Sequence, residues 1–156
     1  MKSHTFRKKW GQNFLQDPNI IRKIIAQLDP QPYDVVVEIG PGQGALTFEL
    51  ATHVKTIHAI EIDPLLVNYL NDYAPDNVNI IHQDILDLDL SQFSGNVKII
   101  GNLPYNITSP IIFKFLGCSL WSKMVFMIQK EVAQRIISIH GNKTYGRISV
   151  MTQAVS

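Results

Sequence analysis

The fold is decided by the stretch Val35-Val36-Val37-Glu38-Ile39-Gly40-Pro41-Gly42-Gln43-Gly44. The β-branched run predicts a buried strand, and the three glycines after it allow positive φ angles and close approach of a ligand where a helix begins. The spacing differs from the GxGxxG of dinucleotide sites, and Pro41 removes one amide donor. A pyrophosphate cradle is therefore disfavoured, and a plain tight turn is the competing interpretation.

Further apolar runs follow this strand at intervals of about 20 to 27 residues. Between them, an oxygen-bearing residue followed by proline marks helix starts at Asp17-Pro18, Asp63-Pro64 and Ser109-Pro110. Such alternation predicts an α/β fold, a parallel sheet with helices on both faces. The predicted strands are Val35–Ile39, Thr56–Ile60, Val78–Ile81, Val97–Ile100 and Met124–Ile128, and a last helix is predicted over Glu131–Ile139.

The bulk properties predict one cytoplasmic domain covering residues 1–156. The chain has 156 residues, of which 46% are hydrophobic, which is enough for a sizeable core. Its single cysteine, Cys118, excludes an internal disulfide and fits a reducing compartment. No apolar run approaches the roughly 18 residues that a membrane span needs. We therefore expect no contact with a membrane.

Charge is strongly segregated along the chain although the net charge is only +1. Residues 1–28 carry six Lys or Arg and one acid, residues 29–89 one Lys and eleven acids, and residues 90–156 seven Lys or Arg and one acid. Clustered basic residues attract phosphate regardless of sequence, so a basic face for a polyanion is one interpretation. A solvated surface is the other. The arm Arg7-Lys8-Lys9 is the best candidate for a phosphate contact, with a solvated tail as the alternative.

Polar residues stand at the ends of three successive predicted strands. Gly40, Gly42 and Gly44 follow the first strand, Glu61 ends the second, and Asp84 follows the third. An acid at the end of the second strand characteristically binds both hydroxyls of an adenosine ribose. A carboxylate at Asp84 could accept a hydrogen bond from an adenine amine. Because parallel strands end at one edge, we expect a nucleoside site there.

Asn102-Leu103-Pro104-Tyr105 follows the fourth predicted strand and suggests chemistry on an adenine amine. The lone pair of that amine is delocalised into the ring, so it is a poor nucleophile. Two acceptors, the Asn102 side chain and a backbone carbonyl held by Pro104, would aim the lone pair at a sulfonium methyl, while Tyr105 stacks on the base. The competing, purely structural interpretation is an ordinary Asn-Pro turn. The target base would have to be flipped or looped out.

Several motifs together resemble one family, the ribosomal RNA adenine N6,N6-dimethyltransferases of the small subunit. The matching segments are Gly11-Gln12-Asn13-Phe14-Leu15, Glu38 to Thr47, Glu61-Ile62-Asp63, Gln83-Asp84, Gly101 to Ile107, Gln129 to Ala133 and Tyr145-Gly146-Arg147. The resemblance implies a Rossmann-like class I methyltransferase sheet and transfer of four methyl groups from S-adenosylmethionine to two adjacent adenosines in the 3′-terminal hairpin loop of small-subunit RNA.

The resemblance also implies site residues and partners. No metal is expected, the partner is small-subunit ribosomal RNA or its particle during ribosome biogenesis, and the full-length protein is expected to be monomeric. The catalytic residues are Asn102, Leu103, Pro104 and Tyr105. The cofactor-binding residues are Asn13, Leu15, Gly40, Gly42, Gly44, Glu61, Ile62, Asp84, Ile85 and Asn102.

Family members continue beyond the position of Ser156 with two more strands, a loop whose Phe faces Tyr105 across the target base, and a helical domain. We therefore expect residues 1–156 to keep most cofactor contacts but to methylate poorly. Two alternatives stay open. One is an adenine methylase of large-subunit RNA, as in the related erythromycin-resistance enzymes, or of DNA. The other is a ribosome-assembly module that binds RNA without turnover.

Overall fold

The computed structural model describes residues 14–138. Asn13, the basic arm, Ile139 and the segments after it lie outside the described residues. The strands are β1 (Val35–Ile39), β2 (Thr56–Glu61), β3 (Val78–His82), β4 (Val97–Asn102) and β5 (Trp121–Met127). The helices are α1 (Pro18–Leu28), α2 (Ala45–Ala51), α3 (Pro64–Tyr73), α4 (Thr108–Leu116) and α5 (Lys130–Ile137).

The five strands form one parallel sheet in the order β3-β2-β1-β4-β5. The predicted α/β class is therefore confirmed. β2 and β3 follow on one side of β1, and β4 and β5 lie on its other side, so the chain changes direction between β1 and β4. A crevice opens beyond the carboxyl ends of these two strands. At Gly101 on β4, an added Cβ would lie 2.9 Å from the carbonyl oxygen of Ile39, which shows how closely β4 approaches β1 there.

Both faces of the sheet are covered by helices. Side chains alternate along each strand, so each strand contributes to the core on either face. On β1, Val36 belongs to a core that includes α1 and α2, whereas Val37 and Ile39 belong to a second core with α4. The largest buried side chains of these helices are Leu28 on α1, Leu50 on α2 and Phe115 on α4. Strands buried on both faces are near-continuous apolar runs, which is why they were recognisable in the sequence.

Two of the three predicted helix starts are confirmed. Asp17 and Asp63 are the N-caps of α1 and α3, accepting from the N–H groups of Asn19 at 2.8 Å and Leu65 at 2.9 Å. A proline follows each cap at the first helical position, where its missing N–H has no partner in any case.

The third predicted start, Ser109-Pro110, is wrong. α4 begins at Thr108, directly after a single 3₁₀ turn over Tyr105–Ile107. Pro110 lies within the first helical turn, where an N–H is not needed, so the helix extends to its N-terminal side. The hydroxyl of Thr108 donates to the carbonyl of Pro104 at 2.8 Å, which ties the start of α4 to the preceding turn.

The predicted fifth strand, Met124–Ile128, starts three residues too late. β5 begins at Trp121 and pairs with β4 through a register shift between Val97 and Lys98. Ser122 and Lys123 break the apolar pattern because this part of the strand is exposed, so hydrophobicity alone did not reveal it. In the described part of the chain, no helix is long and apolar enough to cross a membrane.

Candidate active site

A cavity of about 420 Å³ lies at the carboxyl edge of the sheet, over the crevice between β1 and β4. It collects the residues that follow all five strands. Most predicted site residues line it, namely Leu15, Gly40, Gly42, Glu61, Ile62, Asp84, Ile85, Asn102, Leu103, Pro104 and Tyr105. The lining residues extend from Phe14 to Gln129, so segments far apart in sequence surround one space.

The glycine turn has the backbone conformation that its sequence suggested. Gly40, Gly42 and Gly44 have φ angles of 64°, 59° and 85°, a region that favours glycine. The N–H of Gly40 donates to the carbonyl of Ile60 at 2.9 Å, so the turn is joined to β2. Gly40 and Gly42 line the cavity, and no neighbouring atom lies within 4 Å of an added Cβ at Gly40.

Gly44 lies outside the cavity lining, although it was predicted to bind the cofactor. It is the N-cap of α2, and an added Cβ would lie 2.5 Å from the ring of Phe48. Packing against Phe48 and the positive φ angle therefore account for glycine at this position.

Glu61 is a buried carboxylate that organises the turn around it. Its Oε1 accepts from the N–H groups of Ile62 and Asp63, both at 2.9 Å, and its Oε2 accepts from the N–H of Gly42 at 3.2 Å. Burial raises the pKa of Glu61, while these backbone hydrogen bonds lower it and the charge of Asp63 raises it. The side chain is thus held in one orientation at the cavity wall by three backbone hydrogen bonds.

Asp84 stands on a tight turn after β3. Its Oδ1 accepts from the N–H of Leu86 at 2.9 Å, and its carbonyl accepts from the N–H of Asp87 at 3.1 Å. Within the described residues, no hydrogen bond is assigned to its Oδ2. The carboxylate can therefore accept one bond from a ligand in the cavity without losing its local contact.

Glu38 is a cavity residue that residue-by-residue reasoning did not assign to the site. It is 1% exposed on β1 and its Oε2 accepts from the hydroxyl of Thr47 at 2.7 Å. Burial raises the pKa of Glu38 from 4.5 to about 7, with a further increase from the charge of Glu61 and a decrease from Thr47. An acid inside an otherwise apolar strand was the available signal. Glu38 and Glu61 therefore place two carboxyl groups at one cavity.

The Asn102 segment forms the opposite wall. Asn102 ends β4, and the N–H of Leu103 donates to the carbonyl of Met127 on β5 at 3.0 Å. The carbonyl of Pro104 is engaged by Ile107 and Thr108, whereas the described residues show no hydrogen bond to the carbonyl of Leu103. The backbone acceptor for a ligand is therefore the carbonyl of Leu103. Tyr105 is 65% exposed, which leaves its ring available to another molecule.

Three neighbouring strands thus bring the acids Glu38, Glu61 and Asp84 to one cavity, and the end of a fourth strand brings hydrogen-bond acceptors beside an exposed aromatic ring. Together with the doubly covered parallel sheet, this arrangement defines a Rossmann-like methyltransferase domain. Comparison with known proteins then gives the family. The model of the ribosomal RNA adenine dimethylase family matches residues 3–156, and the chain belongs to that family.

Similar proteins carry consistent names. The chain is 44% identical over 155 residues to ribosomal RNA small subunit methyltransferase A of Aromatoleum aromaticum, covering 98% of this chain and 58% of the relative. It is 46% identical to the protein of the same name from Legionella pneumophila, covering 96% and 60%. The chain therefore spans about three fifths of the length of these relatives.

Solved structures support the same fold. A dimethyladenosine transferase from Plasmodium falciparum superposes with a TM-score of 0.78 at 30% identity, over 90% of this chain and 52% of that one. The 23S rRNA methyltransferase ErmE superposes with a TM-score of 0.73 at 30% identity, over 90% and 55%.

Proposed function

We propose that this protein uses S-adenosylmethionine to dimethylate N6 of two adjacent adenosines in the 3′-terminal hairpin loop of small-subunit ribosomal RNA, as a step of ribosome biogenesis. The observation that carries the proposal is that Asn102 to Tyr105 share one cavity with Glu61 and Asp84. The names of the curated relatives support the small subunit as the source of the RNA.

The cavity fits the proposed cofactor in size and chemistry. Its volume of about 420 Å³ lies in the usual range for small-molecule sites. Glu61 would accept hydrogen bonds from the ribose hydroxyls and Asp84 from the adenine amine, with Ile62 and Ile85 beside the ring. When bound, S-adenosylmethionine supplies an electrophilic methyl group on positively charged sulfur.

The residues of the opposite wall would orient the target amine. The side-chain oxygen of Asn102 and the carbonyl of Leu103 accept its two N–H bonds, which localises the nitrogen lone pair and directs it towards the cofactor. Pro104 restricts the backbone that presents these acceptors. Tyr105 offers a stacking face for a base taken out of its helix. The methylated nitrogen, made acidic by its positive charge, would release its extra proton to water, so alignment and electrostatics suffice and no general base is required in this scheme.

The Asn102→Ala variant tests the enzymatic interpretation. We expect methyl incorporation into undermethylated small-subunit particles to fall by at least about 100-fold, as for loss of one transition-state hydrogen bond of this kind. Binding of S-adenosylhomocysteine, measured by calorimetry, should weaken far less than methylation, because Asn102 is one of ten residues expected to contact the cofactor. Asn71→Ala, on an exposed position of α3, is the matched control. Unchanged methylation by Asn102→Ala would exclude the proposed mechanism and favour a binding module.

A large-subunit adenine is the second candidate, because the ErmE structure superposes almost as well. Methyl incorporation into isolated small and large subunits, and into DNA, separates the candidates. Incorporation into the small subunit alone is the expected result.

The remaining expectations also belong to this proposal. They are a single cofactor-binding domain over residues 1–156, a cytoplasmic location, a monomeric full-length protein, and cofactor contacts from Asn13 and Leu15. Leu15 lines the cavity.

A further inference from the structure

The last turn of α4 reaches across to the loop that carries Asp84. Lys114 lies in that turn, and its Nζ donates to the carbonyl oxygen of Leu86 at 2.7 Å. The contact is partly buried and joins residues 28 positions apart. It is therefore a specific tertiary link between a helix and the loop after β3.

Leu86 is consequently held on both sides. Its N–H donates to Oδ1 of Asp84 at 2.9 Å, and its carbonyl accepts from Lys114. The first of these bonds sets the orientation of the Asp84 carboxylate, and the second fixes the residue that makes it. The carboxylate oxygen left for a ligand is Oδ2, and Asp84 is one of the residues that line the cavity.

Apolar contacts alone do not supply this orientation. Ile85 and Leu88 are 5% and 1% exposed and share a core cluster with Ile111 and Phe115 of α4. Such contacts hold the loop against the helix, but they are non-directional. A short hydrogen bond from an ammonium to a carbonyl is directional, so it constrains the rotation of the turn as well as its position.

Lys114 makes its polar contact with the carbonyl of Leu86 and not with a carboxylate. Among the described residues, no carboxylate lies within salt-bridge distance of its Nζ. Hydrogen bonds from the backbone and side chain of Ser91 are the main causes that lower the pKa of Asp89, and the charge of Lys114 makes the smallest contribution. Lys114 is therefore not part of an ion pair that would explain its position.

We propose that Lys114 is a positioning residue for cofactor recognition, which aligns Asp84 with the adenine amine by holding Leu86. The inference rests on the proposed function, because it assumes an adenine at Asp84. The same helix begins directly after the 3₁₀ turn over Tyr105–Ile107, so Lys114 also links the cofactor loop to the segment proposed to hold the target base.

Calorimetric binding of two ligands to the whole chain tests this role. One ligand is S-adenosylhomocysteine, and the other is its analogue with hydrogen in place of the 6-amino group. We expect Lys114→Met to weaken binding of S-adenosylhomocysteine by about 2- to 10-fold, the effect of one misaligned hydrogen bond, and to leave binding of the analogue unchanged. Lys114→Arg, which keeps a donor, should recover most of the loss. Lys55→Met, at the other edge of the sheet, is the control.

The other outcomes contradict either the role of Lys114 or the proposed function. Equal weakening of both ligands, or a Lys114→Met protein that binds like Lys55→Met, would overturn the role of Lys114. Failure of Lys114→Arg to recover binding would do the same. If Lys114→Met fails to fold, Lys114→Gln and Lys114→Arg provide the comparison. Failure of the unmodified chain to bind S-adenosylhomocysteine would instead remove the proposed function itself.

Discussion

Gly40 and Gly44 share a positive φ angle but face different surroundings. An added methyl group at Gly40 points into open space at the cavity, whereas at Gly44 it meets the ring of Phe48 at 2.5 Å. At the residue scale, glycine is therefore needed at position 40 for the cavity and at position 44 for packing against Phe48.

Gly44→Ala should destabilise the fold more than Gly40→Ala. The left-handed backbone lowers the free energy of unfolding of both variants by about 1 kcal/mol. Gly44→Ala loses about 1–3 kcal/mol more because Phe48 must move. Gly40→Ala should instead weaken binding of S-adenosylhomocysteine. Urea denaturation and calorimetry measure the two effects. Equal losses of unfolding free energy in both variants would contradict the assignment.

Glu38 should make stability depend on pH. In the folded protein its pKa is raised from 4.5 to about 7, so between these values the unfolded chain loses a proton that the folded protein keeps. Stability from this group is therefore undiminished below about pH 4.5, falls as pH rises, and is lower by about 3 kcal/mol above pH 7.

The Glu38→Gln variant isolates this effect. The unfolding free energy of the unmodified chain, minus that of Glu38→Gln, should fall by about 3 kcal/mol between pH 4.5 and 8. Taking the difference cancels titrating groups that do not interact with Glu38, including His58, whose pKa burial lowers. A difference that is constant with pH, measured by urea denaturation, would show that Glu38 is not held protonated.

At the scale of elements, the ends of α1, β1 and β4 are joined by one lysine. Nζ of Lys98 lies 2.7 Å from Oδ2 of Asp34 and 2.6 Å from the carbonyl oxygen of Asp29. Asp34 is 5% exposed and also accepts from the N–H of Gln31 at 2.7 Å. This cluster lies at the amino-terminal edge of the sheet, opposite the cavity.

Lys98→Met should therefore destabilise the protein by about 3 kcal/mol, because it leaves the buried carboxylate of Asp34 without its partner. Ligand binding per folded molecule should be unaffected, since the cavity is at the other edge. The comparison is Lys55→Met, an exposed lysine at the same edge, with a change within about 0.5 kcal/mol. A loss no larger than that of Lys55→Met would mean that the ion pair contributes nothing to stability.

At the scale of the whole molecule, the cavity depends on all five strands being in register. Ligand binding should therefore stabilise the sheet as one unit. S-adenosylhomocysteine at about 100 times its dissociation constant is expected to raise the unfolding free energy by about 2.7 kcal/mol. Urea denaturation with and without ligand measures this, with homocysteine alone as the control. No stabilisation at saturating ligand would argue against a preformed site.

Much of this architecture was predictable from local patterns. The order of strands and helices follows from apolar runs and Asp-Pro caps, and the positions of Glu61, Asp84 and Asn102 follow from their places just after strands. The start of β5 was not predictable, because its first residues are exposed and are held by pairing with β4. The start of α4 was misplaced because Ser109-Pro110 lies within the first turn of a helix that begins directly after a 3₁₀ turn.

The sequence by itself determined the parallel α/β class, the conformation of the glycine turn and the chemical types gathered at the strand ends, because these depend on local sterics and on the period of apolar residues. Only the tertiary structure decided that Glu38 would be buried at the cavity with a pKa near 7, that Gly44 packs on Phe48, and that Lys114 holds the loop of Asp84. These are consequences of burial and of contacts between distant segments, which no local pattern encodes.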